Sequence, residues 1–217
     1  MKPPPQLDLF PPPEPLRRDE AMRRLGALVG VDLGPLADTY GITVQHRGRR
    51  NKGWAGHVVE RYLGRSPNPD KAADFGDWEL KVVSLVPDAA GLPRVKDSMA
   101  IAQFTPDEIE RDAFEDSHLL AKLGRLLVVA RLADDPDDLW SPLIGAVPFD
   151  LEPALAARVR DDYEEIRWIV RSQGAYALSG HVGRLVQPRP RGDGTALGFY
   201  ARARFVAYML GLADTPD

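Results

Sequence analysis

Apolar residues recur along this chain at two periods, and the period indicates which element each stretch builds. Behind Glu79-Leu80-Lys81, the run Val82, Val83, Ser84, Leu85, Val86 is short, β-branched and strand-like. Ser98 to Phe104 reads as a second strand. Arg125 to Leu132, with Leu126 to Ala130 unbroken, reads as a central strand buried on both faces. A further short strand is expected at Arg184 to Gln187. Helical spacing dominates elsewhere. Arg17 to Val29 places Met22, Leu25, Leu28 and Val29 on one stripe ended by Gly30, and Leu33 to Tyr40 is a second short helix stopped by Gly41. Asn51 suits an N-cap for a helix from Lys52 to Leu63, with Gly64 closing it. Asp107 to Leu123, opened by Thr105-Pro106, then Leu151 to Ser172 and Ala201 to Leu212 complete the helices, and Asp88 to Pro93 is a turn. The mid-chain order β-β-α-β predicts the α/β class, a mixed sheet flanked by helices.

Residues 1–15 break both periods. Seven prolines there exclude helix and sheet interior, which predicts an extended tail ahead of one domain at 16–217. Gln6-Leu7-Asp8-Leu9-Phe10 sits inside this tail, and nothing local can bury its two leucines and phenylalanine. Either the tail folds back on its own domain or it displays apolar anchors to a partner. The five residues resemble the peptide with which bacterial replication and repair proteins bind the sliding clamp. By that resemblance Gln6 makes polar contacts and Leu7, Leu9 and Phe10 fill an apolar pocket, with Asp8 between them.

Composition removes several chemistries. At 217 residues with 44% hydrophobic content, the chain supports one sizeable core. No cysteine is present, which excludes disulfides, thiolate catalysis and cysteine-based zinc sites. His46, His57, His118 and His181 are scattered without metal-ligand spacing. No apolar run approaches a membrane span, and no basic-then-apolar leader opens the chain, so a cytoplasmic, nucleoid-associated protein is expected. The net charge is −4, but its distribution is uneven. Arg47, Arg49, Arg50, Lys52, Arg61 and Arg65 form one basic stretch, and Arg184, Arg189, Arg191, Arg202 and Arg204 another. Asp107, Glu108, Glu110, Asp112, Glu115 and Asp116 lie between them. The two basic stretches fit the walls of a nucleic-acid cleft and also fit ordinary solvated faces.

The candidate chemistry lies at the start of the first strand. Asp74 precedes Glu79 by five positions, and strand alternation puts Glu79 and Lys81 on one face. Two carboxylates and a lysine there could hold Mg²⁺ through oxygen and set a water beside a phosphate, as in magnesium nucleases of the PD-(D/E)xK type. Taken alone, the triplet is a weak signal, and an exposed, solvated ridge accounts for it more readily. Glu60 shares a helical face with Gly56, Val59 and Leu63, so it is either a third acid of this site or the wet edge of an apolar stripe.

Several ordered blocks over residues 20–212 resemble the MutH family of mismatch-repair endonucleases and its GATC-cutting type II restriction relatives. They are Lys52-Gly53-Trp54-Ala55-Gly56 with Glu60, Asp74-Phe75 with Glu79-Leu80-Lys81, Ser117-His118 with Lys122, Gln187 with Arg189-Pro190-Arg191, and Gly198-Phe199-Tyr200. The resemblance implies a restriction-endonuclease-like core and a monomer that nicks one strand of duplex DNA in mismatch repair. It further implies Mg²⁺, replaceable by Mn²⁺, on Asp74, Glu79 and Glu60, with catalytic Lys81 and Lys122. Arg49, Arg50 and Lys52 would contact phosphates, Arg189 would read a base, Tyr200 would sit beside the neighbouring adenine, and Arg191 would bind DNA. The sliding clamp and MutL are the expected protein partners. Two departures keep a restriction enzyme in view: the five-position spacing of Asp74 and Glu79, and a short Arg191–Gly198 segment. A non-catalytic clamp-bound adaptor is the remaining alternative.

Overall fold

The structure is a computed structural model that describes residues 15–46, 49–65, 75–133, 140–191 and 196–217, with backbone alone at His46, Arg49, Arg50 and Arg191. The Pro-rich tail through Glu14 and the loop holding Asp74 lie outside the described residues.

Three helices open the chain: α1 (Arg18–Gly26), α2 (Gly34–Thr39) and α3 (Trp54–Tyr62), with the two-stranded ribbon β1 (Gln45–His46) and β2 (Arg49–Arg50) before α3. The expected strand is β3 (Glu79–Pro87), and the Asp88 turn folds it back into β4 (Pro93–Val95). Then come β5 (Met99–Phe104), α4 (Pro106–Arg111), α5 (His118–Leu123), β6 (Arg125–Leu132) and β7 (Leu143–Asp150). The chain closes with α6 (Pro153–Gln173), β8 (Val186–Arg191), β9 (Ala196–Ala201) and α7 (Ala203–Met209). One sheet has the order β4-β3-β6-β7, with β3 and β6 parallel and the outer pairs antiparallel. A second, antiparallel sheet has the order β5-β9-β8. This is the expected mixed α/β class. Among the described residues no helix is long and apolar enough to cross a membrane.

The β3–β6 pair divides the core in two. Leu80, Leu127 and Val129 face a cluster built with Leu25, Trp54, Val58 and Val59 of α1 and α3. Val83, Leu85, Leu126 and Val128 face the other way, into a cluster with α5, α6, α7 and the second sheet. Both faces of β6 are therefore covered, which is why its sequence is an unbroken apolar run.

Several expectations need correction. The helix expected from Asp107 to Leu123 is two helices. A capping box of Thr105 and Glu108 starts α4, the backbone turns extended at Asp112, and Ser117 Oγ accepts from Leu120 N (3.2 Å) to start α5 afresh. The interruption buries Phe114, which is 1% exposed. Val29 is 54% exposed, because α1 stops at Gly26 and the following residues run beside β7; Ala21 takes the buried place instead. The strand expected at Arg184 begins at Val186, because the backbone N–H groups of Arg184, Leu185 and Val186 all donate to the Asp162 carboxylate.

Candidate active site

Glu79 opens β3, paired with Leu126 of β6, and points to the face on which α5 lies. Its side chain is 1% exposed. A carboxylate so buried is costly unless cations compensate it. Two do. Lys81 Nζ donates to Glu79 Oε1 at 2.7 Å, and Lys122 Nζ from α5 reaches the same oxygen at 3.1 Å. Both lysines are partly buried, with side chains 18% and 14% exposed. Burial pushes the Glu79 carboxyl up, but Lys81 and then Lys122 outweigh it, and the group stays below the usual carboxylate range. Strand alternation explains Lys81. Lys122 is 43 positions away and arrives only because α5 runs directly into β6, the parallel neighbour of β3.

The turn before Glu79 is held from several sides. Gly76 has φ +83, a conformation that suits glycine, and Phe75 N donates to Trp78 O (3.1 Å) across the turn. The rings of Phe75 and Trp78 stack 4.2 Å apart at an interplanar angle of 6°. Arg65 covers the other face of Phe75, its guanidinium 5.4 Å from the ring centre. Asp77 pairs with Arg125, which is 3.8 Å from Asp150, and Asp150 accepts from Arg18 at 2.7 Å. This chain of ion pairs was not foreseen from sequence, because its members are single charges at element ends.

A second constellation lies on the outer face of the second sheet. β8 and β9 register Gln187 against Tyr200 and Arg189 against Gly198, so these side chains share one face while Phe199 packs inward on Phe104. The Arg189 guanidinium lies 5.8 Å from the Tyr200 ring centre. Gln187 is buried at 3% exposure, whereas Arg189 is exposed. The hairpin is anchored at its base by Asp162 of α6, 4% exposed. Asp162 Oδ1 accepts from Arg184 N (2.6 Å), and Oδ2 accepts from Leu185 N (2.7 Å) and Val186 N (2.8 Å). Gly183 is required there, since a Cβ would lie 1.9 Å from Val186 O. A carboxylate on the buried stripe of α6, between Val159 and Ile166, was the available signal for this anchor.

The expected residues fall into three groups. Glu79, Lys81 and Lys122 come together, and so do Arg189 and Tyr200. Glu60 sits part-buried on α3, whose buried side chains belong to the cluster on the opposite face of β3, and Lys52 is exposed just ahead of that helix. Gln6, Leu7, Asp8, Leu9, Phe10 and Asp74 lie outside the described residues, as do the side chains of Arg49, Arg50 and Arg191. Among the described residues no trio of histidine, aspartate and glutamate gathers as a metal site. In the second basic stretch, Arg202 is committed to the fold, donating to the carbonyls of Gly180, Val182 and Gly183.

A family model described as the DNA mismatch repair enzyme MutH matches residues 63–158, the segment that carries Glu79, Lys81 and Lys122. Similarity to curated members runs well beyond that segment. The DNA mismatch repair protein MutH of Vibrio cholerae serotype O1 (strain M66-2) is 27% identical, over 91% of this chain and 97% of its own length. That of Shewanella amazonensis is 28% identical over 85% of this chain and 81% of its own, and that of Pasteurella multocida 24% over 90% and 96%. The chain is thus similar to the MutH family over most of its length. The match agrees with the restriction-endonuclease-like character expected for the β3–β6 sheet and its helices. It coincides with the acid–lysine cluster, while the Arg189–Tyr200 hairpin lies beyond the matched segment.

Proposed function

We propose that this chain is a metal-dependent endonuclease that nicks one strand of duplex DNA during mismatch repair. The observation that carries the proposal is the buried Glu79 held by Lys81 and Lys122 at the mouth of β3, in a segment that matches the MutH family model. The donor set fits a hard cation: Asp74, Glu79 and Glu60 offer carboxylate oxygens, and the chain has no thiol to favour a softer metal. Mg²⁺ is the cation these residues would hold, with Mn²⁺ as a substitute. When bound, such an ion offsets phosphate charge and makes a ligated water more acidic.

The protein's own groups supply the rest. Lys81 orients the attacking water and assists its deprotonation. Lys122, on the same oxygen of Glu79 as Lys81, offsets charge on the phosphate oxygens as the water oxygen approaches phosphorus in line. The P–O3′ bond breaks, a proton passes to the leaving oxygen, and the products are a 3′-hydroxyl and a 5′-phosphate. Arg49, Arg50 and Lys52 hold the backbone without regard to sequence. Arg189, with Arg191 beside it, reads base edges from the outer face of the hairpin, and Tyr200 stacks beneath the guanidinium to fix its direction. The protein acts as a monomer, with MutL as a further partner. Gln6 to Phe10 recruit the sliding clamp, which raises the local concentration of the enzyme on newly copied DNA.

The test is incubation of supercoiled plasmid with Mg²⁺, beside Glu79→Ala. Open circles from wild type alone support the nickase, whereas absence of cleavage with either metal overturns it. Linear product would instead support a restriction enzyme, the reading favoured by the five-position spacing of Asp74 and Glu79. For the clamp, a pull-down with wild type is expected to fail when Leu9 and Phe10 become alanine, and retained binding refutes the docking role.

A further inference from the structure

The N-terminal segment enters the fold at an unexpected place. Trp78 Nε1 donates to the backbone carbonyl of Leu16 at 2.8 Å, joining positions 62 residues apart. Trp78 is 1% exposed, and its other face stacks on Phe75. Pro15 lies directly over Gly76: a Cβ at Gly76 would stand 3.2 Å from Pro15 Cβ. Pro15 and Leu16 therefore form one wall of the turn from Phe75 to Glu79. Arg18, two residues on, donates to Asp150 and to the carbonyls of Leu126 and Phe149, which fastens the segment to the strands on the same side. A segment serving only as a tether could leave from any surface, and a flexible attachment would serve it best. This one is fastened by a buried indole next to Glu79.

We propose that Trp78 is a positioning residue that makes the root of the N-terminal segment part of the acid-bearing turn, so that a partner held on Gln6–Phe10 acts on that turn as well as tethering the protein. The partner half of this inference rests on the clamp-docking reading; the fastening half does not. Reach supports the coupling. Phe10 lies five positions before Pro15, a separation that covalent geometry limits to about 18 Å in any conformation.

Hydrogen–deuterium exchange on the full chain tests both halves. Trp78→Phe keeps a ring on Phe75 but removes the donor to Leu16. Exchange at the amides of 75–79 is expected to rise by about fivefold, the equivalent of one lost hydrogen bond, while β6 stays as protected as in wild type. Unchanged exchange in the turn overturns the fastening. Adding purified sliding clamp is expected to change exchange in the same turn for wild type. It should leave the turn unaltered in a chain with a twelve-residue Gly-Ser insertion between Glu14 and Pro15 that still binds the clamp. A clamp that binds wild type without any effect on the turn reduces the segment to a tether and overturns the coupling. Failure of the clamp to bind at all refutes the docking reading and the coupling that rests on it, and the Trp78→Phe arm still decides the fastening.

Discussion

Asp162→Asn changes one atom and tests whether the Arg189–Tyr200 hairpin is held as described. In the wild type, one buried carboxylate accepts three backbone N–H groups at 2.6, 2.7 and 2.8 Å. The best the asparagine can do is keep its oxygen on Leu185 N and Val186 N and turn its amide toward Arg184 N, donor against donor. One charge-assisted bond is lost, at about 1.5–3 kcal/mol, and the two that remain become neutral, at roughly half their former strength. The sum is about 3–6 kcal/mol, a large share of the stability of an ordinary domain. With a urea slope of about 3 kcal/mol per M for a chain of this size, the unfolding midpoint should fall by about 1–2 M. The local consequence is sharper than the global one. At temperatures where the variant is folded, plasmid nicking should persist while preference among DNA sequences relaxes, because Arg189 and Tyr200 ride on the strands that Asp162 anchors. A midpoint shift below about 0.3 M would refute the reasoning, since it would mean that water or a shifted backbone meets those N–H groups without loss.

Lys122→Met should slow nicking by about 10²–10³-fold, with DNA affinity little changed, because it withdraws a cation from Glu79 and from the phosphate while keeping the side-chain volume. Single-turnover rates at saturating DNA check this, and a change confined to affinity would contradict it. Arg189→Ala should cost about 1–3 kcal/mol of discrimination between preferred and altered sites, whereas Lys52→Ala should weaken all sequences alike and flatten the salt dependence; competition binding at two salt concentrations separates them. The hydrogen bonds from Arg18 lower the Asp150 carboxyl below its ordinary value, with Arg125 adding to the effect. Its contribution is therefore full above the unfolded value near about 3.9 and is lost as pH falls through the lower folded value. Asp150→Asn should accordingly be slightly less stable than wild type at pH 7, by at most about 1 kcal/mol for so exposed a carboxylate, and the gap should close in urea titrations as pH falls through the lowered folded value.

What the sequence reveals of this fold follows the strength of local signals. β6 could be read to the residue because both its faces are buried, which leaves an uninterrupted apolar run. β7 was invisible, since an edge strand carrying Gly145 and Pro148 has neither alternation nor propensity to mark it. β9 hid for a related reason: Ala196, Gly198 and Ala201 are small, and the strand owes its existence to its neighbours on both sides. The site divides along the same line. Glu79 and Lys81 are neighbours by strand period, so their pairing could be expected from spacing. The arrival of Lys122 and the seating of Leu16 on Trp78 are tertiary facts, and no spacing rule reaches 43 or 62 positions along a chain. For Lys122 the ordered family blocks provided what local pattern could not.

The parallel pairing of β3 with β6 has a further consequence: the acid–lysine cluster belongs to the folded state alone. Parallel neighbours cannot be joined by a tight turn, so the residues from Pro87 to Arg125 must span the distance between the two strands. Glu79 and Lys122 meet only where β3, β6 and α5 are packed together, so a chain that has lost this pairing lacks the cluster even with every residue of it present.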